Sequence, residues 1–232
     1  MSFLVRGAFA GIARGLRFRV PDRLRTFEQH CRTIEEIERR GVNVVLDVGA
    51  NVGFYSQHLR QSGYKGRILA FEPVPESFTE LRSRADGDAA WQVFNCALGS
   101  VAGSLDFHVV GETGILSSVL PPHIDMPTRK IVVPMRTLAD VLAEQQIESP
   151  RIFLKMDTQG FDLEVFKGSG NPPEVVLLQS EVCVHHAYEG MPHYTAALST
   201  FEEAGFRLLD TFPVTRTPTG GVTELDALMG RP

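Results

Sequence analysis

The sequence predicts an α/β domain built on a largely parallel sheet, and two patterns carry that prediction. Strand-like apolar runs alternate with helical stretches along most of the chain, and several of the strands are apolar without interruption. Val175-Val176-Leu177-Leu178 is one such run, and unbroken apolar strands belong to sheets covered by helices on both faces. In order, strands are expected at 44–48, 67–71, 91–96, 151–156, 174–181 and 206–212, with a last one near 223–229. Helices are expected between them at about 52–62, 76–85, 137–146, 161–168 and 193–204. Pro75-Glu76-Ser77 reads as a helix start, since proline's fixed φ suits a first turn, and Gly205 after Phe201-Glu202-Glu203-Ala204 reads as a helix stop. Residues 103–135 break the alternation. Leu105–Val109 and Ile131–Met135 follow a period of two around a connection, 111–130, rich in glycine, serine and proline. A β-insertion is expected there, with its long connection bordering a binding site.

The 232 residues, 43% of them hydrophobic, suffice for one domain with a full core. A net charge of −5 and a pI near 5.8 argue against a nucleic-acid partner, which would leave a basic footprint. Cys31, Cys96 and Cys183 are odd in number and unpaired in spacing, so neither a disulfide framework nor a zinc site is indicated, and a cytoplasmic setting is expected. No uncharged apolar run reaches the roughly 18 residues that span a bilayer. Val5, Phe9, Ile12 and Leu16 recur at helical spacing among Arg6, Arg14, Arg17 and Arg19, so residues 1–40 read as a basic amphipathic extension of a domain at 41–232. Its role stays open: peripheral contact with a membrane surface or a lid for a lipid-linked substrate, or else packing on its own domain or on a second copy in a homodimer.

The densest signal is Val44-Val45-Leu46-Asp47-Val48-Gly49-Ala50-Asn51-Val52-Gly53, an apolar strand that ends in an acid and two glycines. Glycine at Gly49 lets the chain bend, and glycine at Gly53 lets the next helix start close to a ligand. The spacing D-x-G-x-x-x-G is not the G-x-G-x-x-G of pyrophosphate-binding turns, which disfavours a nicotinamide-dependent oxidoreductase. A second strand, Ile68–Phe71, ends in Glu72 about 20 residues on, where ribose hydroxyls are read. Together these features suggest S-adenosylmethionine (SAM).

The ordered blocks Leu46–Ser56, Phe71-Glu72-Pro73-Val74-Pro75, Asn95-Cys96-Ala97-Leu98-Gly99 and Leu154-Lys155-Met156-Asp157-Thr158-Gln159-Gly160 resemble the FkbM-type SAM-dependent methyltransferases over about residues 42–212. The resemblance implies a class I methyltransferase (Rossmann-like) fold, seven strands with the last antiparallel, and O-methylation of hydroxyls on sugars, glycolipids or secondary metabolites. Where the family usually places a glutamate, this chain has Asp162. A SAM-binding regulatory or interaction module without turnover is the competing reading.

SAM would need backbone donors, a carboxylate for its ribose and apolar walls for its adenine. Gly49, Ala50, Asn51 and Gly53 are the expected cradle of its methionine portion, with Asp47 either near the amino group or holding the turn. Glu72 would accept both ribose hydroxyls, and Asn95, Cys96 and Ala97 would flank the adenine. An alcohol acceptor needs a group to take its proton. Asp157, at the end of the fourth strand, is the first candidate for that role and for the cofactor's sulfonium side. Lys155, on the same strand face, would either orient it or form a buried ion pair with it. Glu181 forms a second candidate cluster with the nearby His185 and His186, between which the sequence does not choose. Asp157, Asp162 and Glu181 could alternatively hold Mg²⁺.

Overall fold

The computed structural model describes residues 22–111, 114, 116–123 and 126–232; the amphipathic pattern from Val5 to Leu16 lies outside the described residues. Seven strands form the main sheet: β1 (Val44–Val48), β2 (Arg67–Phe71), β3 (Trp91–Phe94), β7 (Ile152–Met156), β8 (Val175–Cys183), β9 (Arg207–Arg216) and β10 (Val222–Gly230). Their order is β3-β2-β1-β7-β8-β10-β9, with β1, β2, β3, β7 and β8 parallel and β10 antiparallel to both of its neighbours. This is the mostly parallel seven-stranded sheet with an antiparallel final strand that the family resemblance implies.

The central strands are apolar throughout because helices cover both faces. Val44, Leu46 and Val48 of β1 pack toward one core, with helices α4 (Leu138–Gln145), α5 (Asp162–Gly168) and α6 (Tyr194–Glu203) contributing Leu138, Val165, Phe166 and Phe201. Val45 points the other way, to a second core closed by Ile37 of α1 (Asp22–Arg39), Leu59 of α2 (Phe54–Gln61) and Leu81 of α3 (Pro75–Ala85). α1 is held there by polar contacts as well as by apolar ones: Arg32 lies 3.6 Å from Asp210 of β9, and Gln29 donates to Asp226 of β10. Among the described residues no helix is long and apolar enough to cross a membrane.

Several boundaries differ from those expected, two of them for a clear local reason. The third strand ends at Phe94 rather than 96, because the Asn95 side-chain amide donates to the carbonyls of Glu72 and Pro73 and turns the chain out of the sheet. β9 runs on to Arg216, past Pro213, which a strand on the sheet edge tolerates because no ladder N–H is needed on its outer side. The insertion is a three-stranded sheet of β4 (Ala97–Leu98), β6 (Thr128–Arg136) and β5 (Gly103–Val110), paired Gly103↔Met135 through Val110↔Thr128. Its inner face buries Phe107, Val109 and Val133 against Val74.

The insertion meets the main domain closely at Gly168, where an added Cβ would overlap the carbonyl of Gly99. Backbone faces backbone there and neither can yield. Gly168→Ala is therefore expected to lower stability by about 1–3 kcal/mol in urea denaturation; an unchanged midpoint would contradict this close approach.

Candidate active site

The site grows from the sharp turn after β1. Gly49 and Ala50 both donate to the carbonyl of Phe71, at 3.1 and 3.0 Å, which ties the turn to the end of β2. Gly49 has φ +75°, and a Cβ on it would overlap the carbonyl oxygen of Asp157, so only glycine lets β1 and β7 end side by side. Asn51 follows at φ +47°, with its N–H directed 2.8 Å onto Glu72 Oε2. The other Glu72 oxygen accepts the N–H of Val74 at 2.8 Å, so one buried carboxylate fixes both the turn and the entry to α3. Burial pushes the Glu72 carboxyl up to about 7, against the two N–H donors and the Lys155 ammonium that favour its charged form.

Behind the turn lies an ion network. Asp47 is fully buried; it accepts from Ser56 at 2.7 Å and meets the Lys155 ammonium at 3.1 Å. Lys155 also reaches the Gly49 carbonyl at 3.4 Å and Asp157 at 3.6 Å, and it stands 5.1 Å from the centre of the Tyr55 ring. Burial disfavours the ammonium, yet Asp47 and Asp157 more than compensate and hold its proton well above the ordinary lysine range. Parallel pairing sets this geometry: Asp47 stands opposite Lys155, and Lys155 opposite Gln179, on one face of three adjacent strands.

Asp157 follows β7, and its side chain is 40% exposed, unlike that of Lys155. Glu181 lies on β8, cross-strand from Asp226 of β10. The two acids behave as one pair. Burial opposes the charge on Asp157, but Lys155 and hydrogen bonds from Glu181 and Gln159 hold its carboxyl below the usual aspartate range. Burial and the adjacent Asp157 carboxylate push Glu181 well above the glutamate range, so a proton on the pair is held to higher pH than on a lone glutamate.

These groups open into one cavity of about 450 Å³, a size suited to a small organic ligand. Of the residues singled out in the sequence, Gly49, Ala50, Asn51, Glu72, Cys96, Ala97, Lys155, Asp157 and Glu181 line it. Other predicted residues do not. Asp47 lies beneath the cavity, turned toward Lys155 and Ser56. Gly53 faces Leu81 and Trp91, so its lack of a side chain serves helix packing. Asn95 spends its amide on the backbone after β2. His185 is exposed, outside the cavity wall.

The alternative Mg²⁺ ligand set of Asp157, Asp162 and Glu181 is not assembled. Asp162 turns away, with one oxygen accepting from the Thr158 N–H and hydroxyl and the other from Ser180 at 2.6 Å, so its carboxylate is consumed in fastening the loop after β7. Among the described residues no group of three or more His, Cys, Asp or Glu is placed to hold a metal ion.

Sequence reasoning passed over Gln159, whose amide nitrogen lies 3.0 Å from Asp157 Oδ1 and 2.6 Å from Glu181 Oε2. It sits in a quoted block, two residues after Asp157, but nothing in the sequence announces its left-handed backbone, φ +54°. Thr215 and Glu224 of the β9–β10 hairpin also line the cavity, and so do Phe107, Leu116, Ser117 and Val119 of the insertion.

A family model described as the methyltransferase FkbM domain matches residues 47–208. The chain belongs to this FkbM methyltransferase family. It is 29% identical over 171 residues to methyltransferase sdnD of Sordaria araneosa, covering 61% of this chain and 65% of that one, so it spans slightly less than two thirds of that relative's length. It is 24% identical over 226 residues to the 2-O-methyltransferase NoeI of Sinorhizobium fredii (strain NBRC 101917 / NGR234), covering 87% and 92% of the two chains. In fold, this FkbM-family chain matches the crystal structure of precorrin-6y C5,15-methyltransferase from Geobacter metallireducens GS-15, with a TM-score of 0.50 at 12% identity and 88% of each chain covered. The fold is that of the class I methyltransferases.

Removing the Lys155 ammonium would leave Asp47 buried without its cation. Lys155→Met is expected to destabilise the protein by about 3–5 kcal/mol, and adding Asp47→Asn to recover a large part of that loss. Equal denaturation midpoints for parent and Lys155→Met would contradict the buried network.

Proposed function

We propose that this protein is a SAM-dependent O-methyltransferase acting on a hydroxyl of a sugar, glycolipid or secondary-metabolite acceptor, working in the cytoplasm. The observation that carries the reading is the Asp157–Glu181 pair, set at the carboxyl edge of adjacent parallel strands and open to the same cavity as the Gly49 turn and Glu72. Ligands of such open sheets bind outside the carboxyl ends of the strands.

The residues fit SAM. Each Glu72 oxygen accepts one backbone N–H and retains acceptor capacity toward the cavity, as a pair of ribose hydroxyls requires. Phe71, Cys96, Ala97 and Leu98 supply apolar wall for an adenine, and the Gly49–Asn51 backbone lies open beside Asp157 for the methionine portion. When bound, SAM supplies an electrophilic methyl group on its sulfonium sulfur.

The chain's part is to orient the acceptor, take its proton and keep water out. A hydroxyl becomes a competent nucleophile as its proton is drawn off, and a carboxylate within hydrogen-bond reach serves as that base. Asp157, held charged by Lys155 and by the hydrogen bond it accepts from Glu181, is suited to accept the proton. Leu116 and Val119 from the insertion, with Val214 from the hairpin, supply apolar cover that favours a dry reaction centre. Glu72, Asp157, Glu181 and Glu224 line the cavity and Lys155 is engaged by acids, a setting that repels a phosphate backbone and favours a small-molecule or glycan acceptor. Similarity to the Sinorhizobium 2-O-methyltransferase NoeI supports oxygen as the methylated atom. The basic N-terminal extension would serve peripheral membrane contact or a homodimer.

The test follows formation of S-adenosylhomocysteine from SAM in the presence of a panel of hydroxylated sugars, glycolipids and natural products. Asp157→Asn is expected to lower the transfer rate about 10²–10⁴-fold while S-adenosylhomocysteine affinity stays within a few-fold of the parent. Transfer at the parent rate would remove Asp157 as the base.

A further inference from the structure

We infer that Gln159, fixed in place by Tyr188, is the positioning residue that holds the Asp157–Glu181 pair and ties it to the loop of the β-insertion. The inference rests on the methyl-transfer reading above and concerns how that site is kept in working order.

Both hydrogens of the Gln159 amide are spent on acids, one toward Asp157 Oδ1 at 3.0 Å and one toward Glu181 Oε2 at 2.6 Å. An amide can flip, and a flipped one would turn its oxygen onto two carboxylates. The two carboxylates set the amide's orientation, and the amide oxygen is held by Tyr188. Its hydroxyl lies 3.0 Å from Gln159 Oε1 and 2.9 Å from the carbonyl of Leu116, shared between two acceptors, and the ring is 2% exposed. The Gln159 backbone is gripped too: its carbonyl accepts from Ser118 Oγ at 2.8 Å, and that oxygen accepts the N–H of Leu120. Side chain and main chain of Gln159 are thus both anchored to residues 116–120, the segment that walls the cavity through Leu116, Ser117 and Val119. A non-glycine residue at φ +54° persists only where its surroundings over-determine it, and these bonds do so.

The chemical consequence concerns the proton on the pair. The charged groups facing it are Lys155 from β7 with Asp47 behind it, and Asp226 and Glu224 from β10; Cys183 and Tyr188 complete the surroundings on the β8 side. Among these, the acids favour keeping the proton. Lys155 and the Gln159 amide favour releasing it, since donors to a carboxylate stabilise its charged form. Without the amide, the pair should hold its proton to higher pH, and its two carboxyls would lose their common anchor.

The experiment needs no acceptor. Sinefungin resembles S-adenosylhomocysteine but bears an amine on the carbon that replaces the sulfur, so its ammonium reports on negative charge where the transferred methyl would stand. Calorimetry from pH 5 to 9 gives the affinity ratio of sinefungin to S-adenosylhomocysteine, which for the parent should rise as the pair loses its proton. Gln159→Leu is expected to move the midpoint of that rise up by about one pH unit. Tyr188→Phe should move it in the same direction by less, and both variants should keep S-adenosylhomocysteine affinity within about threefold. A folded Gln159→Leu protein with the parent midpoint would overturn the inference, because a merely structural residue would alter stability and leave the midpoint alone. Should Gln159→Leu fail to fold, Tyr188→Phe decides, and an unmoved midpoint there removes the role given to Tyr188. Failure of the parent to bind S-adenosylhomocysteine is a different result: it would withdraw the methyl-transfer reading, and this inference with it.

Discussion

The ammonium of Lys155, buried between Asp47 and Asp157, is the constraint on which the rest of the site depends. An ion taken out of water costs several kcal/mol unless its partners are placed well, and here the partners come from the ends of two adjacent strands. Satisfying Lys155 therefore fixes the register of β1 against β7. It also fixes α2, whose Ser56 donates to Asp47 and whose Tyr55 ring lies against the ammonium. The same geometry leaves Asp157 charged at the cavity floor. Fold stability and the electrostatics of the candidate base share a single set of atoms.

From that point the sheet topology distributes the chemistry. Parallel strands β1, β2, β7 and β8 end on one edge, so the Gly49 turn, Glu72, Asp157 and Glu181 meet although they are far apart in sequence. The antiparallel β10 then places Asp226 opposite Glu181, which strengthens the tendency of the acid pair to retain a proton. A parallel sheet alone would not bring that charge there. The insertion supplies the remaining wall, and it is anchored to the loop after β7 rather than hung from its own ends.

Much of this was legible in the sequence because backbone demands leave strong marks. The left-handed turn shows as Gly49, the buried strands show as unbroken Val and Leu runs, and Glu72 stands where a strand stops. Side-chain direction leaves a weaker mark. Asp47 and Gly53 lie inside the diagnostic turn, yet one faces Lys155 and the other Leu81, because strand alternation and helix packing decide where each points. Asp162 looked like a ligand and is instead a fastener, since Thr158 and Ser180 happen to lie within its reach. Gln159 was invisible because its role depends on a partner 22 residues away on another strand.

The claim at the centre of this account is that the cavity beside the Gly49 turn is a SAM site. Calorimetric titration of cofactor-stripped protein with S-adenosylhomocysteine, alongside NADH, tests it most directly. The account predicts micromolar binding of S-adenosylhomocysteine, lost or weakened about 10–100-fold in Glu72→Ala, and no binding of NADH. Binding of NADH in preference, or the same S-adenosylhomocysteine affinity in Glu72→Ala, would contradict it.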